Sequence, residues 1–310
     1  MLDVVAVGNI NVDLAVELSR IPGPDEKLVA KRHYITLGGA AANFAIACVR
    51  LGLTCGLIAR VGQDPMGEIA LRALSHEGID IRHVKICPGL STGVALVLWI
   101  SGSRGVVSCR GANDALSPAD LDRVYLSSAK LILGASLRLP LAKALAEACS
   151  GLGITLVLDP GGTLASYNLS ELSNVLRDVD IFTPNEVELA RITGLKDIKA
   201  AAEAAWSHGP KLVVVKAGPR GCFIFDGQEF LRIRALKPAE FVDPTGAGDA
   251  FNAGLALGLL KGLEPVQSAE LGVAMATLKI GRKGASNMPT LKELKAFLAR
   301  VGWRWLLDKI

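Results

Sequence analysis

The chain has 310 residues and half of them are hydrophobic, which suits one α/β unit with an addition. The net charge of +4 is small for this length, and the Lys and Arg residues are scattered and not interleaved with aromatics, which argues against a nucleic-acid-binding protein. No apolar run is long enough to cross a bilayer and the first residues lack a basic segment, so we expect neither a membrane anchor nor a signal peptide.

The cysteines and histidines show no arrangement typical of disulfides or a metal site. The six cysteines occur singly, mostly among apolar neighbours: Cys48, Cys55, Cys87, Cys109, Cys149 and Cys222. The four histidines lack the spacing of metal ligands: His33, His76, His83 and His208. We therefore expect buried free thiols in a reducing cytosol, and hence a cytoplasmic protein.

The chain begins with a strand pattern and continues with antiparallel segments. Residues 3–10 predict a buried strand that ends at Gly8, and the polar Asn11 and Asp13 follow it directly. Residues 14–37 contain Pro-Gly-Pro and two alternating segments, which predict short antiparallel strands and not a crossover helix. The alternating segments are residues 27–31 and 33–37.

A glycine pair then opens the first predicted helix. Gly38 and Gly39 precede a helix that is predicted to run to about Leu51. Further on, residues 92–109 predict a β-hairpin with its turn at residues 101–105. Together with the earlier antiparallel segments, this hairpin predicts a small β-sheet that grows out of an α/β core.

The remaining segments alternate between strands and helices. Predicted strands cover residues 57–61, 131–134, 155–159, 181–183, 212–216 and 222–225. Predicted helices cover residues 139–150, 169–176, 185–193, 198–208, 247–260, 265–280 and 290–299. Strands that are repeatedly separated by helices predict a mostly parallel, doubly wound sheet, whose strands end at a common edge.

The densest chemistry lies in residues 242–254. Pro244 disfavours a helix at Asp243, so a helix is predicted to begin beyond it, after a glycine-rich turn. Free N–H groups at a helix N-terminus can hold an anion. Asp249 would repel a phosphate there, which indicates another role, such as accepting a proton from an attacking hydroxyl. Taken alone, the stretch is better explained by close-packing glycines and a first-turn acid.

Polar or glycine-rich segments also follow other predicted strands. They are Asn11 with Asp13, Gly38-Gly39 with Asn43, Asn185 with Glu188, and residues 216–221. Each alone has a simpler explanation, since Asn185 would ordinarily cap a helix. Because parallel strands end at one edge, we expect the segments to meet in one site. A dinucleotide site is not supported, since no Gly-x-Gly-x-x-Gly follows the first strand.

Together these motifs resemble those of the ribokinase (PfkB-type) carbohydrate kinases, in the same order and over nearly the whole chain. Residues 38–43 match the first signature of that family, and residues 243–251 match its more specific second signature. Residues 183–188 match its Asn-x-x-Glu motif, and residues 216–221 match the glycine turn on its nucleotide side. The Gly-Ala-Asn of residues 111–113 also recurs in many members.

The resemblance implies one α/β kinase domain over residues 1–310, with a doubly wound, mostly parallel sheet flanked by helices. It implies that residues 12–37 and 88–112 form a β-sheet lid inserted in that domain. It also implies an enzyme that transfers the γ-phosphate of ATP to a hydroxymethyl group of a sugar or nucleoside, with Mg²⁺ as cofactor.

The same motifs imply roles for individual residues. Asp249 matches the general base, and the backbone of Gly246, Ala247 and Gly248 matches the anion hole for the transferring phosphoryl group. The implied substrate contacts are Asn11, Asp13, Gly38, Gly39, Asn43, Ala95, Val97 and Asp249. The implied ATP contacts are Asn185, Lys216, Gly218, Gly221, Gly246 and Gly248. Asn185 and Glu188 match residues that organise Mg²⁺ through water.

The chain departs from the family pattern at three places. Ribokinases proper usually carry Lys where this chain has Ala40, and an acidic residue where it has Ser136. Both differences argue against ribose as the substrate. The family's K⁺ site is implied at Asp243 and Thr245, with carbonyl groups of residues 279–284. Its late polar ligand is replaced by Met288.

Several alternatives stay open on the sequence. The apolar lid residues and Trp99 are compatible with a nucleoside kinase of the adenosine or cytidine type, and equally with a free-sugar kinase. A non-catalytic sugar- or nucleotide-binding regulator on the same fold is a further alternative, against which the retention of Asp249 and the Asn185/Glu188 pair argues. The resemblance also implies a homodimer through the lid, whose second face must be covered.

Overall fold

The computed structural model describes residues 1–100 and 103–310, which form two β-sheets and flanking helices. The strands are β1 (Leu2–Gly8), β2 (Asn11–Leu18), β3 (Arg32–Gly38), β4 (Cys55–Gly62), β5 (Asp80–Cys87), β6 (Gly93–Ile100), β7 (Ser103–Cys109), β8 (Ala129–Ala135), β9 (Thr155–Asp159), β10 (Ile181–Phe182), β11 (Leu212–Lys216), β12 (Cys222–Phe225) and β13 (Phe230–Ile233). The helices are α1 (Ala40–Arg50), α2 (Pro65–His76), α3 (Arg123–Ser127), α4 (Leu139–Leu152), α5 (Gly161–Leu164), α6 (Leu169–Leu176), α7 (Glu186–Thr193), α8 (Ile198–Trp206), α9 (Ala247–Leu260), α10 (Pro265–Ile280) and α11 (Leu291–Arg300).

The larger sheet has nine strands in the order β13-β12-β11-β10-β9-β8-β1-β4-β5. Neighbouring strands from β11 to β5 are parallel, and β12 and β13 pair antiparallel at one end. Buried residues of α1, α9 and α10 pack on one face, and those of α4, α6 and α8 pack on the other. The predicted α/β fold with a doubly wound, mostly parallel sheet is therefore confirmed.

The smaller sheet has the order β3-β2-β6-β7, with β2 and β6 parallel and the outer pairs antiparallel. Successive residues of a strand point to opposite faces. One row across the four strands consists of Thr36, Asp13, Ala95 and Ser108, and the next row, on the opposite face, consists of Ile35, Leu14, Leu96 and Val107. One face thus carries polar groups and the other is apolar.

Two sequence predictions for this smaller sheet had different outcomes. Residues 27–31 are not a strand, because the segment is largely exposed and only Lys31 donates to β2, at Glu17 O. The hairpin strands β6 and β7 pair as predicted, with Val97 opposite Val106. Residues 101 and 102 of the predicted turn lie outside the described residues, whereas residues 103–105 of that turn belong to β7 and pair with β6.

The topology gathers the predicted site at one edge. From β1 the chain runs outward to β4 and β5, then returns to β8 on the other side of β1. Ligands of such sheets bind outside the carboxyl ends of the strands, at this switch point. Within residues 1–100 and 103–310, no helix is both long and apolar enough to span a bilayer.

Candidate active site

The glycine-rich turn before α9 has the geometry expected of an anion-binding helix N-terminus. Gly246 caps the helix with φ +81°, and a Cβ there would overlap the carbonyl oxygen of Ala285, so only glycine fits. First-turn amides such as that of Gly248 have no acceptor within the helix. The Ala247 N–H donates to Pro244 O at 3.1 Å in this conformation. The helix dipole and the remaining free amides favour an anion at this point.

Asp249 lies in the first turn of α9 and is half-buried. Its Oδ2 accepts a hydrogen bond from Asn43 Nδ2 of α1, at 2.8 Å. Burial raises the pKa of Asp249 to about 7, although the Asn43 hydrogen bond acts in the opposite direction. A carboxylate with this pKa can accept a proton near neutral pH.

Asp13 lies in β2 on the polar face of the small sheet and is 5% exposed. Its Oδ1 is buried and has no hydrogen-bond partner among the described residues. A Cβ at Gly38 would overlap this carboxylate, so the close approach of the two strands requires glycine there. Burial raises the pKa of Asp13 to about 6, and the charge of Asp243 adds to the effect. An unpaired buried carboxylate suits a ligand that donates two hydroxyl groups.

The other predicted substrate residues surround Asp13 and Asn43. Asn11 Oδ1 accepts from Asn113 Nδ2 at 2.9 Å, and Asn113 also binds the main chain of Ile10. Gly39 is the N-cap of α1, while Asn43 keeps a buried Oδ1 without a partner in the described part of the chain. Ala95 and Val97 are buried beside Asp13 and Ala15 in the register of β2 and β6.

A buried ion pair forms the opposite side of the site. Lys216, at the end of β11, places its Nζ 2.5 Å from Asp159 Oδ2, at the end of β9. The same oxygen accepts from Asn252 Nδ2 of α9 at 2.7 Å. Burial alone would lower the pKa of Lys216, but the nearby carboxylates of Asp159, Glu188 and Asp249 together outweigh it and the pKa is raised. The Lys216 ammonium also lies near Gly248, since a Cβ at Gly248 would be 3.5 Å from Nζ.

Asn185 and Glu188 form a capping box at the start of α7. Asn185 Oδ1 accepts from the Glu188 amide at 2.9 Å, and Glu188 Oε2 accepts from the Asn185 amide at 2.8 Å. Burial raises the pKa of Glu188, and the charge of Asp159 adds to the effect. No group of three His, Cys, Asp or Glu side chains that could hold a metal ion occurs in the described ranges. Mg²⁺ commonly keeps several waters and binds phosphate oxygens, so a site for it needs few protein ligands.

Gly218 and Gly221 form the turn after β11, with φ values of +51° and +90°. The Ala217 amide donates to Gly221 O across the turn, at 2.9 Å. The space where a Gly218 side chain would stand is open to 4 Å, whereas the Gly221 position is filled by the main chain of β13. Gly218 therefore leaves room for a ligand next to Lys216, and Gly221 serves the packing of the turn.

Asp243 is buried and ties two loops together. Its Oδ1 accepts from the amide and hydroxyl of Thr245, at 2.9 and 2.6 Å, and its Oδ2 accepts from the Gly284 amide at 3.0 Å. Arg104 of the small sheet contacts the Thr245 hydroxyl and lies 3.7 Å from Asp243 Oδ1. The Nζ of the buried Lys279 also contacts both loops, through Asp243 O and Arg282 O.

The structure brings the predicted groups together in two half-sites joined at α9. Asn11, Asp13 and Asn43 lie on the side of the small sheet, and Lys216, Asn185 and Glu188 lie on the side of β10 and β11. Sequence reasoning missed four residues of the site: Arg104, Asp159, Asn252 and Lys279. Asp159 ends a predicted strand at the ligand-binding edge, which was the available signal for it.

Comparison with known proteins gives the family. Residues 1–292 match the model of the pfkB family carbohydrate kinases. The chain is 30% identical to ribokinase from Arabidopsis thaliana over 95% of this chain and 79% of that protein, and 31% identical to a nucleoside kinase from Methanothermobacter thermautotrophicus over 97% of each. The solved structure of the Arabidopsis ribokinase with ribose and ATP superimposes with a TM-score of 0.87, covering 96% of this chain and 98% of that chain at 28% identity.

A second solved structure carries the metal as well. It is that of a putative ribokinase II from E. coli in complex with ATP and Mg²⁺, with a TM-score of 0.82 and 27% identity, covering 97% of this chain and 100% of that one. The chain belongs to the pfkB family of carbohydrate kinases. It is therefore a phosphotransferase that acts on an alcohol group, as the motifs predict.

Proposed function

We propose that the protein transfers the γ-phosphate of ATP to a hydroxymethyl group of a sugar or nucleoside, with Asp249 as the general base. The observation that carries this proposal is the position of Asp249. It lies at the N-terminus of α9, hydrogen-bonded to Asn43 on the acceptor side and close enough to Lys216 for their charges to interact on the donor side. The raised pKa matches its proposed task.

The residues account for the reaction as follows. Asp13 and Asn43 hold hydroxyl groups of the acceptor so that its hydroxymethyl oxygen faces Asp249. Asp249 takes the proton of the acceptor hydroxyl while the oxygen of that hydroxyl bonds to the γ-phosphorus. The bond between the γ-phosphorus and the bridging oxygen breaks at the same time, and ADP leaves with that oxygen. The amides of Gly246 and Gly248, with Lys216, stabilise charge on the transferring group. The four strands of residues 12–37 and 88–112 act as a lid that excludes water.

The donor residues fit ATP with Mg²⁺. Gly218 leaves open space beside Lys216, and the free amides before α9 suit phosphate oxygens. Bound Mg²⁺ would neutralise phosphate charge, held through water by Glu188 and Asn185. The capping box supports this role, because it fixes Glu188 in place while using only one of its two carboxylate oxygens.

The substitution Asp249→Asn tests the role of the base. Asparagine keeps an oxygen that accepts from Asn43, so the fold should be retained while the proton acceptor is lost. We expect turnover of labelled ATP with a responsive acceptor to fall by on the order of 10²- to 10⁴-fold. The exposed Asp308→Asn is the control. Near-wild-type turnover by pure Asp249→Asn protein would overturn the assignment.

The acceptor class has a specific alternative, a nucleoside in place of a free sugar. A cavity of ≈ 470 Å³ beside Asp243 is lined in part by Tyr34 and Trp99. An aromatic wall of this kind suits a nucleobase. Thermal-shift screening with ribose, other sugars and nucleosides separates the classes, since a ligand at 100 times its Kd stabilises by about 2.7 kcal/mol. A shift with sugars alone would remove the nucleoside alternative.

We also propose that the apolar face of the lid pairs with a second copy of the chain. Ile35 and Val107 are 51% and 55% exposed in the row that crosses this face. The strands β3 and β7 are the edges of the sheet, and open edges are commonly covered in native proteins.

Sedimentation velocity tests the dimer. We expect a dimer at micromolar concentration, and a monomer after Ile35→Asp combined with Val107→Asp, because a charge on each copy would be buried in the interface. Ile69→Asp, at another exposed isoleucine on α2, should leave the dimer intact. A wild-type monomer at the same concentration would remove the proposal.

A further inference from the structure

Lys279 is the most unusual charged residue of the chain. Its relative exposure is 0%, and lysine is almost never buried to this degree without a partner. Its Nζ lies 3.4 Å from Asp243 O and 3.2 Å from Arg282 O, so it contacts two main-chain carbonyl groups. Carbonyl oxygens are also the groups with which proteins bind bare alkali cations.

The two carbonyl groups belong to the two loops that support the anion-binding turn. Asp243 begins the first loop, and its carboxylate accepts from the Gly284 amide of the second. Gly246 of the turn packs against Ala285 O of the second loop. The Nζ of Lys279 contacts one carbonyl oxygen in each of these two loops. A positive charge here therefore fixes the distance between the loops and acts on the phosphate site.

The residues expected to bind K⁺ do not fit that ion. Both carboxylate oxygens of Asp243 already accept hydrogen bonds, and the side chain of Met288 is a thioether, a poor ligand for a hard cation. The carbonyl oxygen of Met288 accepts from Arg50 at 2.9 Å and from Arg282 at 3.4 Å. Guanidinium and ammonium groups thus occupy the carbonyl oxygens of Met288, Asp243 and Arg282, which the metal would need.

We propose that the ammonium group of Lys279 is a built-in monovalent cation of the active site, which replaces K⁺ and makes the enzyme independent of it. An ammonium group carries the same charge as K⁺, has a similar size and binds carbonyl oxygens in a similar way. The inference rests on the proposed kinase function. Lys279 does not touch the reacting atoms in this assignment; it is a positioning residue that holds the anion-binding turn and adds to its positive field.

The wild-type enzyme gives the first test. Activity and melting temperature are measured in KCl and in tetramethylammonium chloride at equal ionic strength, where only K⁺ is small enough to enter a carbonyl site. We expect both quantities to be the same in the two salts. Activation by K⁺, or a rise in melting temperature that is specific to K⁺, would overturn the proposal.

The variant Lys279→Ala gives the second test, because it removes the charge and leaves room for an ion. In tetramethylammonium chloride we expect turnover to fall by on the order of 10²-fold, the effect of losing one preorganised electrostatic group. We also expect a lower melting temperature. Both should recover in KCl and in NH₄Cl. Lys279→Met fills the space with an apolar chain, so it should lose activity in the same way and recover in neither salt.

Controls separate the possible failures. The exposed Lys292→Ala removes a charge from the start of α11 and should respond to salts as the wild type does. If Lys279→Ala loses activity but neither K⁺ nor NH₄⁺ restores activity or melting temperature, Lys279 is not a cation substitute. The melting-temperature arms need no acceptor, so they decide the question even if the proposed kinase reaction fails with every acceptor tried.

Discussion

The candidate active site contains two largely buried lysines in contrasting surroundings. On the donor side, Lys216 faces the carboxylate of Asp159 at 2.5 Å. At the junction of the loops, the Nζ of Lys279 lies 3.4 Å from Asp243 O and 3.2 Å from Arg282 O, and the charges of the Asp243 and Asp249 carboxylates act on it as well. The pKa values move in opposite directions as a result. For Lys216 the nearby carboxylates outweigh burial and raise the pKa, whereas burial lowers the pKa of Lys279 to about 8.

The difference indicates two uses of the same functional group. The charge of Lys216 is balanced locally by Asp159, so the pair adds little net field until an anionic ligand approaches. The charge of Lys279 is held by dipoles, which stabilise a cation without cancelling it. Its positive field therefore extends to the turn before α9 whether or not a ligand is bound.

Of the two lysines, the carboxylate-paired one should give the larger effect on stability and activity together when it is removed. Lys216→Met leaves Asp159 buried without its partner, which typically costs about 3–5 kcal/mol of the free energy of unfolding. We also expect turnover to fall by on the order of 10²-fold, because a preorganised charge at the phosphates is lost. Urea unfolding and steady-state kinetics measure the two effects. Unlike Lys279→Ala, this variant should not respond to K⁺, since Lys216 is not held by carbonyl groups.

A matched pair of variants controls that experiment. Lys211→Met removes an exposed lysine that pairs with Asp180 at 2.7 Å, and it should cost no more than about 1 kcal/mol. Combining Lys216→Met with Asp159→Asn removes both charges and keeps an acceptor for Asn252. Stability should then recover in part while activity stays low. A double variant less stable than Lys216→Met would show that the Asp159 charge is not the source of the loss.

The pH dependence is the next effect in size. Because Asp249 must be ionised to act as base, kcat/KM should fall as the pH drops below about 7. The charges of Lys216 and Lys279 both lower the pKa of Asp249. Lys279→Met should therefore move this acid limb to higher pH, and an unchanged limb would mean that the Lys279 charge does not reach Asp249.

The same pKa has a consequence for stability. The folded-state pKa of Asp249 is raised from its ordinary value of 3.8 to about 7, so the protonated carboxyl favours the folded state. That contribution is fully present below about pH 4 and is lost as the pH rises through 7. Asp249→Asn should thus raise the melting temperature above pH 7, by an amount that shrinks as the pH falls.

The smallest effect is expected from a third, more exposed cation near the same loop. Arg104 contacts Thr245 from the small sheet, and its side chain is 30% exposed. An exposed ion pair is worth about 1 kcal/mol or less, so Arg104→Ala should change kcat/KM by no more than about fivefold. It should not create a response to K⁺. A larger loss of kcat/KM would mean that the different burial of the lysines and Arg104 does not explain how much each cation contributes to activity.

Much of the architecture could be predicted because it depends on local patterns. Alternating strands and helices predicted the parallel sheet, and the turn before α9 was recognised because glycine, proline and acid lie within a few residues. The strand predicted for residues 27–31 was wrong because alternation of polar and apolar residues alone does not make a strand. No strand of the described residues pairs with them, and the segment stays largely exposed.

The residues that were missed act through distant partners. Lys279 lies in the last turn of α10, where a lysine is ordinary because it complements the helix dipole. Only the folded chain shows that its ammonium is buried. Asp159 is a lone acid at the end of a strand, and its partner Lys216 is 57 residues away. Asn185 and Glu188 show the reverse case, since a local cap and a functional motif share the same residues.

The hydrogen bond between Asn43 and Asp249 joins residues 206 positions apart, and the Thr36–Ser286 contact spans 250. During synthesis the residues proposed to bind the acceptor, such as Asn43, leave the ribosome before α9 has been made. At 5–20 residues per second this delay is roughly 10 to 40 seconds. Throughout that interval the nascent chain contains Asp13 and Asn43 but lacks Asp249, the proposed base, and the glycine-rich turn before it. Phosphoryl transfer therefore becomes available only after most of the chain has been made.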